Sequence, residues 1–393
     1  MAERPMHIMQ LYHARYPQVL GGIDTMISRL IAGLKERDRI SLFIPSGWQE
    51  DSWRQSSHDG VLLIHQRLPM PVLGQPLLRQ LRAWLGWGLH FPRTLWRLRR
   101  HCREQQVDLI HLHTLQVYGF YLYLLNKLGG PDYLITLHGT DLEVFNRHQG
   151  VSRWFLAKTL AGAQSVVTVS PAMLEPAKAA LGAELPLTAI FNGYQLPALD
   201  QRVEAPPLPK RFALMVGWVY FTKGTDLAVE SWPEILEQHP DLHLVHVGSG
   251  HKTAAFTEAL MQRARALAPE RIHFLGRVPN DQLMAIYPQA EMFLMPSQSE
   301  GLPYALLEAG LLGLPALLTR IPAFEVLVGE GAAYYCEVDD RADFTRRVIQ
   351  MADHPQQAQQ RGQRLQQLLQ QRCSLEQMCG QYRQLYSMLN QSR

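Results

Sequence analysis

Glu300 and Glu308 stand with seven residues between them in Pro296-Ser-Gln-Ser-Glu-Gly-Leu-Pro-Tyr-Ala-Leu-Leu-Glu-Ala-Gly310. A carboxylate can accept two hydroxyl donors at once, the pair that a sugar or a ribose offers. Pro303 suits the first turn of a helix, where its missing N–H costs nothing. The amides around Gly301 and Leu302 would then sit at a helix N-terminus, an end that favours a phosphate or other anion. An ordinary cap with a surface glutamate is the plainer reading. The convergence of amides with two carboxylates favours the functional one. In Val216-Gly-Trp-Val-Tyr-Phe-Thr-Lys-Gly224, Lys223 is a point charge suited to a diphosphate, although alone it would read as a surface lysine. In Leu137-His-Gly-Thr-Asp141, a neutral His138 can hydrogen-bond a hydroxyl and hand over a proton near pH 7. Asp141 reads equally as an acceptor-binding group or a helix cap. Gly21-Gly22 lets backbone amides approach a ligand closely, and a plain turn competes with that reading. Gly248-Ser-Gly250 is a generic nucleotide-fold turn without the third glycine of the dinucleotide fingerprint. Asp108, His111 and His113 share a strand, but no third ligand at metal spacing accompanies the histidines, and they read as structural.

These groups need elements to hold them. Apolar strands are expected at 6–12, 40–45, 108–113, 133–137, 165–170 and 187–191. An amphipathic helix follows Gly22, with Met26, Ile27, Leu30, Ile31 and Leu34 at helical spacing. After a proline-rich break at 197–210 the alternation restarts, with strands at 212–216, 242–247, 272–275, 292–295 and 315–319. Short apolar strands alternating with helices predict α/β architecture: two Rossmann-like domains with parallel sheets, over 1–197 and 211–373. In such sheets ligands bind at the carboxyl ends of the strands, where most of the residues above fall. The glutamine-rich tail keeps a helical period to Leu389 and reads as terminal helices.

Composition removes other classes. The 393 residues carry a formal charge of +3, too little basic excess for a nucleic-acid binder. The four cysteines, Cys102, Cys336, Cys373 and Cys379, are too scattered for a disulfide scaffold or a cysteine zinc site. No signal peptide and no membrane span are recognised, so a cytoplasmic protein is expected. The basic excess lies in 71–105, where Arg79, Arg82, Arg93, Arg97, Arg99, Arg100 and Arg103 interleave with Trp84, Trp87 and Trp96. Gly86, Gly88 and Pro92 are expected to break this stretch into two helices. It suits an interfacial element on anionic lipid, against the alternative of a solvated basic face over core tryptophans.

The Glu-x7-Glu segment resembles the signature of retaining glycosyltransferases of the GT-B fold, in particular glycosyltransferase family 4, and the resemblance runs over nearly the whole chain. It implies two domains facing a cleft, with the acceptor on the first and a nucleotide-sugar on the second. It also implies a last helix, 374–393, that crosses back to the first domain. Residue by residue it gives His138, Glu300 and Lys223 the catalytic roles, with Glu300 on the donor sugar and Glu308 on the ribose. Gly22, Trp218, Gly248, Val278, Gly301 and Leu302 fall at donor-binding positions, Val278 reading the nucleobase through its main chain, and Asp141 on the acceptor side. Trp218 replaces the family's arginine, so one diphosphate cation is missing; Arg277 is a weak substitute, and a tryptophan can instead stack on a sugar or base. The implied reaction moves a sugar from a UDP- or GDP-linked donor to a glycan or lipid-linked hydroxyl in envelope polysaccharide assembly. It needs no cofactor and no metal, and no nucleic acid is a partner. The rival readings are a non-catalytic nucleotide-sugar-binding protein, kept open by Trp218, and another enzyme of the fold such as a nucleotide-sugar epimerase.

Overall fold

The computed structural model describes residues 4–13, 16, 22–45, 53–71, 77–182, 184–197, 203, 205–250 and 254–391. The chain divides into two units: Met1–Gly193 with Leu375–Arg393, and Tyr194–Ser374.

The first unit runs β1 (His7–Leu11), α1 (Gly22–Leu34), β2 (Arg39–Pro45), β3 (Arg54–His58), β4 (Val61–Gln66), α2 (Leu77–Glu104), β5 (Leu109–His113), α3 (Phe120–Lys127), β6 (Asp132–Leu137), α4 (Thr140–Arg147), α5 (Gly150–Ala161), β7 (Ser165–Thr168), α6 (Leu174–Leu181) and β8 (Leu187–Ala189). Its sheet has the order β3-β4-β2-β1-β5-β6-β7-β8. All pairs are parallel except β3 with β4. β1 and β5 are buried along their whole length, as parallel strands covered on both faces must be. The apolar stripe of α1 is its buried face. The β3–β4 pair was not foreseen. It is a hairpin closed by Asp59-Gly60, both at positive φ, and β3 is exposed throughout, so it lacks the apolar run that reveals a buried strand.

Residues 77–104 form one helix, not two. Pro92 removes one backbone bond, worth about 3 kcal/mol in a helix interior. Packing on both sides of it outweighs that loss. Phe91 lies 4.5 Å from the Tyr121 ring and Trp87 6.0 Å from Phe155, while Leu95 and Leu98 beyond the proline are buried. A Cβ at Gly86 or Gly88 would meet nothing, so these glycines mark no tight bend.

The second unit contains β9 (Phe212–Val216), α7 (Thr225–Gln238), β10 (His243–Val247), α8 (Ala254–Leu267), β11 (Ile272–Gly276), α9 (Asn280–Ile286), β12 (Met292–Met295), α10 (Tyr304–Leu311), β13 (Ala316–Thr319), α11 (Pro322–Val328), β14 (Tyr334–Cys336), α12 (Arg341–Asp353) and α13 (Pro355–Arg372). The sheet order β11-β10-β9-β12-β13-β14 is parallel throughout and reverses between β9 and β12. Trp232 of α7 is fully buried in its core and donates Nε1–H to Leu242 O.

The chain enters this unit at Tyr194, ahead of the proline-rich stretch. Tyr194 N–H donates to Cys373 O at 2.8 Å and its side chain turns into the second unit. The last helix, α14 (Leu375–Gln391), belongs to the first unit, where Tyr382 and Tyr386 are fully buried.

Candidate functional site

In the second unit the candidate residues gather at the carboxyl ends of four adjacent strands, around the point where strand order reverses. That is where an open parallel sheet leaves a crevice for a ligand. Backbone bonds stitch the loops together. Gly217 N–H donates to Val247 O at 2.9 Å, Gly248 N–H to Gly276 O at 2.8 Å, and Gln298 N–H to Thr222 O at 2.9 Å. Gly224 has φ 65°, and a Cβ there would lie 2.2 Å from Pro296 O, so only glycine lets the β9 and β12 loops touch. Gly248, at φ 140°, meets Gly217 in the same way.

Lys223 Nζ donates to Glu300 Oε1 at 2.6 Å, across those two loops. Ser297 Oγ–H donates to the same oxygen at 2.8 Å, and Ser297 O in turn accepts from Thr319 Oγ1. Lys223 is partly exposed and the Glu300 side chain nearly buried. The ammonium therefore faces outward from a fixed carboxylate, a geometry in which it can also meet a phosphate. Pro303 precedes α10 instead of entering its first turn, so the helix amides begin at Tyr304. Gly301 and Leu302 lie in the lead-in, with Leu302 buried.

Glu308 lies inside α10 and is 8% exposed. Tyr194 Oη–H donates to its Oε1 and Tyr287 Oη–H to its Oε2, each at 2.8 Å. Burial, then the charge of Glu308, raises the Tyr287 phenol well above 10, so it stays a donor. Trp218 is 45% exposed and heads an aromatic run with Tyr220 and Phe221, whose rings are 4.3 Å apart. Val278 is half-buried between β11 and α9, and Arg277 beside it is exposed.

His138 and Asp141 belong to the first unit, between β6 and α4. Burial pushes the His138 imidazole down to about 3. It is therefore neutral across the physiological range, and the expected proton exchange near pH 7 does not fit it; a neutral hydrogen-bonding role does. Asp141 is buried, with Oδ2 accepting from His138 N–H at 2.6 Å and Oδ1 from Leu115 N–H at 2.7 Å. Both oxygens serve the backbone, so this carboxylate positions the His138 loop instead of presenting itself to an acceptor. Gly22 is the exposed first residue of α1; Gly21 lies outside the described residues.

His111 is bonded at Nδ1 to Tyr386 Oη and at Nε2 to Thr136 Oγ1, both at 2.7 Å, and His113 Nε2 to Gln10 Oε1 at 2.7 Å. These bonds are structural ties inside the first unit. Ser297, Tyr194 and Tyr287 escaped the sequence reading. Ser297 sits within the motif and was legible there. The tyrosines lie 114 and 21 residues from Glu308, and no local pattern links them to it.

Two parallel-sheet units, with polar groups on the strand ends of the second, define a two-domain α/β protein of the GT-B class. Residues 21–193 match the glycosyl transferase 4-like domain and residues 199–367 match the glycosyl transferases group 1 family, to which the chain belongs. It is 26% identical over 275 residues to TuaC of Bacillus subtilis strain 168, by name a teichuronic acid biosynthesis glycosyltransferase. That match covers 67% of this chain and 66% of TuaC, and the chain thus spans less than two thirds of the curated relatives it matches. Sucrose-phosphate synthase from Thermosynechococcus elongatus superposes with a TM-score of 0.78 at 18% identity, over 99% of this chain and all of that one. Anabaena HepE, solved with UDP and glucose, gives 0.73 at 17% identity, over 98% of this chain and all of that one. The fold is GT-B, and both parts of the chain match glycosyltransferase families.

Proposed function

We propose that this glycosyltransferase moves a sugar from a UDP- or GDP-linked donor to a hydroxyl of a glycan or lipid-linked acceptor, with retention at the anomeric carbon, in envelope polysaccharide assembly. The observation that carries the reading is the Lys223–Glu300 pair on touching loops where strand order reverses. Charge grows on the diphosphate as the sugar leaves. A fixed ammonium then stabilises the transition state more than the ground state. In this reading Glu300 receives hydroxyls of the transferred sugar and Glu308 those of the ribose. Val278 reads the base through its main chain, while Trp218 stacks on base or sugar. The backbone of Gly22, Gly248, Gly301 and Leu302 borders the donor. His138 contributes a neutral hydrogen bond, held in place by Asp141. Lys223 and the helix-end amides take the part a metal plays elsewhere, so neither metal nor cofactor is required. The HepE complex with UDP supports a nucleoside diphosphate as ligand, and the name of TuaC supports the polysaccharide setting.

Among the described residues no helix is long and apolar enough to cross a membrane. A peripheral contact with the inner face of the membrane fits α2 better. Leu85, Leu89 and Trp96 are 69, 78 and 57% exposed and share one helical face, and Arg93 and Arg100 beside them are exposed. Trp84 and Trp87 pack inward against Phe155.

The test is thermal stabilisation by UDP, GDP, ADP, dTDP and CMP, with and without EDTA. One diphosphate should stabilise the protein selectively, with EDTA making no difference. No shift with any nucleotide would overturn the donor reading in favour of a non-catalytic protein, and loss of the shift in EDTA would overturn metal independence.

A further inference from the structure

We infer that Tyr194 and Tyr287 are positioning residues that hold the Glu308 carboxylate in the plane in which it receives a vicinal diol, and so set a preference for ribose over deoxyribose. The inference rests on Glu308 as the ribose carboxylate.

The terminal torsion of a glutamate is broad and soft. A carboxylate that must accept two hydroxyls at once needs that torsion fixed in advance, or binding must bear the ordering cost. Here each oxygen has a phenol donor of its own, both at 2.8 Å. The two donors come from separate segments, one on each carboxylate oxygen, and so restrain the torsion at both oxygens. Phenol-to-carboxylate bonds are charge-assisted, stronger than neutral pairs.

The phenols are themselves held. Tyr287 is fully buried with its ring 6.2 Å from Phe293. Tyr194 is anchored through its N–H to Cys373 O, and its ring lies 5.5 Å from Tyr304. Rigid supports of this kind keep a binding group in its working geometry. Tyr194 is also the first residue of the second unit, bridged to Ser374, its last. The nucleotide-binding carboxylate is thus tied to the place where the chain enters and leaves that unit.

The test is calorimetric titration of the full chain with UDP, GDP and ADP, each beside its 2′,3′-dideoxy counterpart. The proteins are wild type, Tyr194→Phe, Tyr287→Phe and Glu308→Gln. The readout is the ratio of the two Kd values, which a general loss of structure would not change selectively. Each phenylalanine variant should weaken the ribonucleotide on the order of ten-fold, the loss of one bond to a charged acceptor, and leave the dideoxy compound unchanged. Glu308→Gln should compress the ratio at least as far. If Glu308→Gln compresses it and neither phenylalanine variant does, the tyrosines are structural and the inference is overturned. If Glu308→Gln leaves the ratio intact, or no ribonucleotide binds, the ribose reading falls and the inference with it. Should Tyr287→Phe fail to fold, Tyr194→Phe decides.

Discussion

Replacing Gly224 by alanine tests the idea that the proposed donor site depends on backbone contact between two loops. Two costs add. Holding alanine at φ 65° costs about 1–2 kcal/mol. The new Cβ would also sit 2.2 Å from Pro296 O and 2.9 Å from Pro296 Cγ. A backbone oxygen cannot swing aside, so the β12 loop must shift, and overpacking of this kind costs about 1–3 kcal/mol. The sum is about 2–5 kcal/mol. Gly313 supplies the control in the same unit. It has φ 77°, but a Cβ there meets only the Gln366 side chain at 3.6 Å, an ordinary contact. Gly313→Ala should therefore cost only the first part. Urea unfolding followed by tryptophan fluorescence measures both, with buried Trp232 reporting on the second unit. The displaced loop carries Ser297 and Glu300, so Gly224→Ala should also lose the nucleotide-induced thermal shift, which Gly313→Ala keeps. Equal destabilisation by the two variants would refute the contact argument.

Lys223→Ala and Glu300→Ala should each lower transfer at least about a hundred-fold, the scale of one lost electrostatic contact to the transition state, with unfolding midpoints little changed; a variant that instead unfolds assigns its residue to structure. His111 and His113 are buried and His138 is half-buried, and desolvation pushes the pKa of all three down. They stay neutral in the fold while the unfolded chain takes up protons below pH 6.5, so stability should hold above that pH and fall from 6.5 toward 5. Each imidazole contributes about 1.4 kcal/mol per pH unit, and urea midpoints indifferent to pH over this range would contradict their burial. Ending the chain at Ser374 removes Tyr382 and Tyr386 with their bonds to Thr136 and His111, a loss of more than about 5 kcal/mol that should unfold the first unit; a folded, active truncation by circular dichroism and assay would contradict it. Leu85→Glu with Leu89→Glu should abolish sedimentation with vesicles containing anionic lipid and leave the melting temperature unchanged, whereas retained binding would place the contact elsewhere.

Much of this molecule is written locally. The apolar runs at β9 and β12 are continuous, and those at β1 and β5 are broken only by His7, Gln10, His111 and His113, because both faces of a parallel sheet are covered; such runs are visible without a structure. The stripe of α1 and the Glu300–Glu308 spacing are local in the same sense, and so are Lys223 and Gly224 at a strand-to-helix loop. Tertiary structure decided what depends on distant partners. Pro92 bends to the packing of Phe91 and Leu98, so one helix forms where local rules ask for two. His138 became a neutral group because burial, not residue type, sets its protonation. Asp141 became a clamp because the Leu115 amide lies across the fold from its own helix. The two phenols on Glu308 could not be inferred from spacing. A hydrogen bond is fixed by three-dimensional approach, and residues 194, 287 and 308 meet only once the sheet has brought their segments together.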